Sequence, residues 1–243
     1  MLFNVKNLNV TNKGKEVVLG ASLSLSEGEI HIIMGPNGSG KSSLLNELMG
    51  HPRYEVTGGK IELLGEDITT LATEKRAKKG LFLSLQHIPE IAGVSLGSFL
   101  FKVHRELTGE DVSVLDFHAR LKKTAEDIGI DTGLISRSVN SGLSGGEKKQ
   151  SEILQLAMLR PKVALLDEID SGVDVDSQAK IFKAIETLAK GGTAFILVTH
   201  YPAILSRIHP TNVSIMKQGE ITKTGGRELI AEIEKNGFDG LKT

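Results

Sequence analysis

One stretch limits the folds open to this chain of 243 residues more than any other: Gly35-Pro36-Asn37-Gly38-Ser39-Gly40-Lys41-Ser42-Ser43. It fits the pattern G-x-x-x-x-G-K-[ST], whose meaning depends on what flanks it. Ahead lies Ile30-His31-Ile32-Ile33-Met34, a short apolar run of the buried-strand type. Behind it, Leu44, Leu45, Leu48 and Met49 recur at helical spacing until Gly50 stops the run. A strand, a glycine loop and a helix in that order make a phosphate cradle. The glycines let the backbone turn tightly with its N–H groups pointing inward, and the helix N-terminus adds partial positive charge. Lys41 can then reach the β- and γ-phosphates, and the Ser42 hydroxyl can ligate Mg²⁺. The implied ligand is a nucleoside triphosphate.

The remaining pattern is α/β. Residues 2–5, 17–19, 21–25 and 30–34 read as strands, punctuated by turn signals at Asn12-Lys13-Gly14 and Glu27-Gly28-Glu29. The only aromatic residue ahead of the glycine loop is Phe3, so stacking on a base is expected to be weak or to use aliphatic side chains. A further strand is expected over 58–65, a helix over 73–79 and a strand running to Gln86. Residues 95–139 change character: Phe117, Leu121, Ala125 and Ile128 keep helical spacing, with Gly109 and Gly129 as breaks. The expected organisation is one domain over 1–243. Its α/β core spans 1–86 and 143–243, and a helical subdomain is inserted at 87–142. From Leu143 apolar strands again alternate with helices, which implies a parallel-rich sheet covered on both faces.

Composition narrows the setting. Hydrophobic residues at 40% and charged residues at 24% are ordinary for a globular protein, and a net charge of −1 gives no reason to expect nucleic acid as a partner. The run Lys75-Arg76-Ala77-Lys78-Lys79 reads as a solvated helix face. There are no cysteines, which excludes disulfides and an iron–sulfur cluster held by the chain's own thiolates. No apolar run approaches the ~18 residues of a membrane span, and the start does not resemble a secretory signal. The expectation is a cytoplasmic protein without direct membrane insertion.

Two further stretches complete a site. Asp167-Glu168 follows the apolar run Val163-Ala164-Leu165-Leu166, and the ends of parallel strands are where ligands sit in such sheets. Asp167 is assigned to Mg²⁺ and Glu168 to the attacking water. Leu143-Ser144-Gly145-Gly146-Glu147 is a second glycine turn opening a helix, hence a second anion site. One nucleotide has little use for two such cradles from one subunit. A head-to-tail dimer, each loop covering the γ-phosphate held by its partner, is the economical solution.

That arrangement resembles the ABC ATPase family, whose LSGGQ signature stands here as LSGGE. The resemblance implies a P-loop ATPase core with an antiparallel β part at the N-terminus. It also implies that Gln86 is the Q-loop residue near Mg²⁺, Ser171-Gly172-Val173-Asp174 the D-loop, and His200 the switch histidine that senses the γ-phosphate. Ser144, Gly145, Gly146 and Glu147 would act in trans, with Asp174 near the shared interface. Within the family the likeness is to the SufC-type ATPases of Suf iron–sulfur cluster assembly. It is carried by Leu143 to Gln155, Leu166 to Asp174, Val198-Thr199-His200-Tyr201 and Pro89-Glu90-Ile91-Ala92-Gly93-Val94. The implied cofactors are ATP and Mg²⁺, and the implied partners are SufB/SufD-like scaffold proteins and a second copy of the chain. Gln150 stands where the subfamily commonly has Arg and His87 where an aromatic is common, both on surfaces near the signature helix or the partner side. Two other functions fit parts of the pattern: a nucleotide-binding subunit of a membrane transporter, and a small-molecule kinase, which would have no use for residues 143–147.

Overall fold

The computed structural model describes residues 1–84, 89–199 and 207–238. Gln86, His87, His200 and Tyr201 lie outside them.

The chain opens with a hairpin of β1 (Phe3–Asn12) and β2 (Lys15–Leu25), turning at Lys13-Gly14. β3 (Ile30–Met34) leads through the glycine loop into α1 (Lys41–Leu48). β4 (Tyr54–Leu63) and the short β5 (Glu66–Asp67) return to the hairpin, giving an antiparallel sheet in the order β2-β1-β4-β5. β1 and β2 are longer than their apolar letters suggest. Polar residues alternate along them because one face of an antiparallel sheet can remain solvated.

α2 (Thr73–Lys79) precedes β6 (Leu81–Ser84). A helical part follows: β7 (Ile91–Ser95), α3 (Leu96–Thr108), α4 (Val114–Asp127), a 3₁₀ turn (Thr132–Ser136) and β8 (Ser138–Val139). Ser95 and Ser113 cap the two helices by accepting from the amides of Ser98 and Asp116. Phe117, Leu121 and Ala125 are fully buried, as their spacing predicts, whereas Ile128 is only partly covered.

The second half alternates α5 (Gly145–Leu159), β9 (Val163–Asp167), α6 (Val175–Lys190) and β10 (Ala194–Val198). It ends with β11 (Asn212–Lys217), β12 (Glu220–Gly225) and α7 (Glu228–Asn236). A six-stranded sheet runs β12-β11-β3-β10-β9-β6, with every pair parallel except the β11–β12 hairpin at one edge.

Alternate residues of these strands feed two cores. Ile32, Leu166, Leu197 and Ile215 face a cluster shared with α3 to α7. Ile33, Leu165, Ile196 and Met216 face a second cluster with α1 and the antiparallel sheet. The central strands are therefore apolar on both faces. The C-terminal ends of β3 and β9 finish side by side with β10 between them, and this brings the glycine loop to Asp167 and Glu168.

Candidate nucleotide-binding site

The glycine loop is shaped by close approach to the β11–β12 hairpin and to β2. A Cβ on Gly35 would stand 2.0 Å from the Met216 carbonyl oxygen, and one on Gly40 2.5 Å from that of Val17. No side chain fits at either place. Gly40 is the N-cap of α1, in the left-handed region at φ 104°, and no side chain caps that helix. The first amides of α1 are thus left for an anion. Lys41 folds over the loop, donating from Nζ to the carbonyls of Gly35 and Pro36, each at 2.8 Å, and to Ser39 Oγ at 3.4 Å. Burial lowers its pKa, opposed by the charges of Glu168 and Asp167.

Burial raises the pKa of Asp167, while the Ser42 hydroxyl, directed at the carboxylate, works the other way. Asp167 Oδ1 is buried with no hydrogen-bond partner among the described residues. A carboxylate oxygen left so, beside a hydroxyl and next to a phosphate cradle, fits a divalent cation. No cluster of three or more His, Asp or Glu residues able to hold a metal occurs among the described residues. Mg²⁺ suits this sparse donor set, because it takes one or two protein oxygens and completes its shell with phosphate and water.

Glu168 adopts φ 49° and donates its amide to the Val198 carbonyl at 2.9 Å. A left-handed backbone at a non-glycine residue is uncommon and collects at functional sites. Here it accompanies a glutamate that lines the cleft together with Asn37, Lys41 and Ser42.

That cleft holds about 580 Å³. Its walls also include Lys15, Glu16, Val17, Gln218 and Gly219, which the sequence did not mark as site residues. Gly219 ties the walls together: its amide donates to the Ser39 carbonyl at 2.9 Å and its carbonyl accepts from Leu19 at 2.8 Å. The only local signal was the turn at Gln218-Gly219. Nothing in it says that the turn meets a loop 180 residues earlier in the chain. Phe3 is fully buried in the core and takes no part in the cleft.

The second glycine turn lies apart: residues 143–147 are not among those lining this cleft. Ser144 caps α5 in a capping box, its Oγ accepting from the Glu147 amide at 3.3 Å while Glu147 Oε2 accepts from the Ser144 amide at 2.8 Å. Glu147 also pairs with Arg137. The Ser144 hydrogen bonds and then Arg137 hold its carboxyl below the usual range. Gly145 and Gly146 pack on the next turn of the same subunit. A Cβ on Gly145 would meet the Gly172 carbonyl oxygen at 2.8 Å, and one on Gly146 would meet Ser177 Oγ at 3.1 Å. Asp174 caps α6 by accepting from the Ser177 amide at 2.9 Å. Gln150, expected on a surface near the signature helix or the partner side, is on that helix but buried. It lies on the inner side of α5 and donates to Ser177 Oγ at 3.2 Å, so it joins the two turns from within.

Comparison with known proteins agrees with this construction. The sequence profile of the ABC transporter ATP-binding family matches residues 18–171. Vegetative protein 296 of Bacillus subtilis is 42% identical over 98% of this chain and 92% of its own length. The Escherichia coli protein described as "Probable ATP-dependent transporter SufC" is 40% identical over 99% of this chain and 98% of its own. Among solved structures, the ADP conformation of an ATP-binding cassette superposes with a TM-score of 0.78 at 25% identity, covering 97% of this chain and 95% of the other. A dimeric cassette bound to ADP and Pi gives 0.81 at 19% identity, covering 93% and 99%, and so bears on the fold alone. The cradle, the strand-end acids and the SGG turn occur here on the fold and over the length of these relatives, and the chain belongs to the ABC ATPase family.

Proposed function

We propose that the chain is an ATP-hydrolysing subunit that dimerises on ATP and drives conformational change in a SufB/SufD-like scaffold for iron–sulfur cluster assembly. One observation carries the ATPase reading: a single cleft joins an uncapped helix N-terminus and Lys41 to Glu168, with the orphaned Asp167 oxygen beside Ser42. The amides of residues 38–43 and Lys41 hold the triphosphate. Pro36 and Gly35 shape the loop, and Asn37 closes its rim. Ser42, Asp167 and Gln86 would hold Mg²⁺, which neutralises charge on the β- and γ-phosphate oxygens. Glu168 accepts a proton from the attacking water, and His200 orients that attack. The transferred phosphoryl leaves ADP as its bond to the β-phosphate oxygen breaks.

Dimerisation is supported by the absence of residues 143–147 from the lining of their own subunit's cleft. Ser144 Oγ accepts from the Glu147 amide while its hydroxyl is directed at the Glu147 carboxylate, from which it would turn to donate to an anion. With the amides of Gly145 and Gly146 it forms a donor set that a partner subunit's γ-phosphate would complete. Glu147 acts through the capping box, holding Ser144 in place, and Asp174 fixes the neighbouring turn.

The Suf reading is supported by 40% identity to the E. coli SufC protein along nearly the whole chain, and by the absence of cysteine, which leaves cluster ligands to another subunit. It places the chain in the cytoplasm. A second reading, the nucleotide-binding subunit of a transporter, is favoured by the words used for several relatives. No helix among the described residues is long and apolar enough to cross a membrane, so a partner would supply the spans. Two measurements decide. Glu168→Gln is expected to retain ATP, lose turnover on the order of 100-fold and accumulate as a dimer; normal turnover would sink the assignment of the base. Proteins captured with the native chain are expected to be cysteine-bearing scaffolds containing iron or sulfide. A polytopic membrane protein would move the chain to transport.

A further inference from the structure

Arg137 stands at the border of the helical part, and its side chain reaches out of it. Its backbone is fixed there: the amide donates to the Leu134 carbonyl at 3.2 Å, and the carbonyl accepts from Leu96, the first residue of α3, at 2.9 Å. The guanidinium extends over the second glycine turn. Nη2 donates to the Gly142 carbonyl at 2.7 Å and Nη1 to Glu147 Oε1, while Glu147 Oε2 accepts from the Ser144 amide at 2.8 Å. These contacts close a ring around residues 142–147. Among the described residues Arg137 is the cation paired with Glu147; the neighbouring Lys148 pairs with Glu90.

Glu147 lies in the first turn of α5, beside the amides proposed to meet a partner's γ-phosphate. Ser144 and then Arg137 hold its pKa below the ordinary range, so the carboxyl stays ionised at neutral pH. Its charge repels the phosphate that the helix N-terminus attracts. We propose that Arg137 is a positioning residue for this turn, holding the Glu147 carboxylate against the cap and cancelling its charge so that the turn can receive the γ-phosphate of a second copy of the chain. This rests on the reading of residues 144–146 as the trans half of the ATP site. Stability is not what the pair supplies, because both side chains are more than a third exposed and exposed ion pairs add little.

The test is ATP-driven dimerisation of the full chain carrying Glu168→Gln, followed by sedimentation, with ATP affinity of the dilute monomer and urea unfolding measured beside it. Arg137→Ala is expected to weaken dimerisation roughly tenfold, since an uncancelled carboxylate then faces the phosphate. Arg137→Lys keeps the charge but not the fork, and should fall between. Adding Glu147→Gln to Arg137→Ala removes the stranded charge and is expected to restore most of the loss. Monomer affinity and unfolding midpoint should hold throughout, because the turn does not line its own subunit's cleft. Dimerisation unaffected by Arg137→Ala, or not regained with Glu147→Gln, overturns the proposal. A fall in the unfolding midpoint in step with the loss of dimer also overturns it, by making Arg137 merely structural. If the Glu168→Gln parent itself fails to dimerise on ATP, the trans reading falls first and the proposal with it.

Discussion

Lys41 bridges the glycine loop. Its ammonium joins the carbonyls of Gly35 and Pro36 across the turn, so the charge proposed to meet a triphosphate also shapes the loop. Lys41→Ala removes both, and nucleotide affinity is expected to fall on the order of 100-fold, read by titration with a fluorescent analogue. Lys41→Arg is not expected to restore it, because a planar guanidinium cannot replace a compact ammonium between two carbonyls. Lys41, Ser42, Asp167 and Glu168 were legible in the sequence because short-range patterns carry them: a loop motif and a strand end. Val17 and Gln218 were not, since only the tertiary meeting of two hairpins makes them neighbours.

His31, one strand back, was legible only as a polar letter in an apolar run. It is buried, meets Ser214 Oγ at 2.8 Å, and burial lowers its pKa to about 4, against the charge of Glu29. Between that value and the ordinary histidine value of 6.5 the unfolded chain binds a proton that the folded chain does not. Stability from this group is therefore intact above about pH 6.5 and is lost as the pH falls toward 4, by about 3 kcal/mol in all. His31→Gln should remove that part of the pH slope in urea unfolding. Wild-type and variant curves that stay parallel from pH 7 to 4 would show that His31 does not contribute it.

At the scale of elements, the basic run on α2 shows where periodicity misleads. Lys78 and Lys79 do form a solvated face, pairing with Glu106 and Glu66. Arg76, two residues before Lys78 in the same run, turns inward and is 1% exposed. It donates to the carbonyls of Glu47, Leu48, Thr69 and Leu71 and pairs with the buried Glu47 carboxylate at 3.3 Å. Two of those carbonyls close the C-terminal turn of α1, so α2 anchors the far end of the helix whose near end forms the cradle. Composition could not reveal this, because a charge that satisfies orphan helix carbonyls looks like any other charge in the run.

Burial works against both ions, lowering Arg76 and raising Glu47, and their mutual attraction opposes it. Removing one partner leaves the other charged and buried. Arg76→Leu is expected to cost roughly 3–5 kcal/mol in urea unfolding, and Arg76→Leu with Glu47→Leu appreciably less. A double variant no better than the single would mean that the lost carbonyl bonds, not the stranded carboxylate, set the cost. The capping box of α5 gives a milder case. Ser144→Ala is expected to cost about 1 kcal/mol of stability, recoverable by Thr.

At the scale of the molecule, the α/β alternation foretold a parallel-rich sheet, and β3, which leads into the glycine loop, and β9, which ends on Asp167, do lie in one. Strand order was beyond reach, because every central strand is apolar on both faces and nothing local says which neighbours which. The same limit applies to partners. On the proposed reading, the cleft of one subunit and the glycine turn that opens α5, which does not line that cleft, are two half-sites to be matched between subunits. Two-fold pairing brings each half-site to its complement twice over.

That geometry makes a prediction that neither half-site makes alone. Lys41→Ala spoils a cradle, and Ser144→Arg spoils a signature turn, so each variant by itself is expected to be inactive. In an equal mixture about half of the dimers are mixed, and each mixed dimer carries one intact site, built from the cradle of the Ser144→Arg subunit and the turn of the Lys41→Ala subunit. ATP turnover of the mixture is then expected to recover to roughly a quarter of the wild-type value per subunit if the two sites fire independently, and to a smaller but measurable level if they are coupled. If Ser144 instead served the cradle of its own subunit, every site in the mixture would contain a damaged member. Turnover would then stay at the level of the separate variants at every mixing ratio.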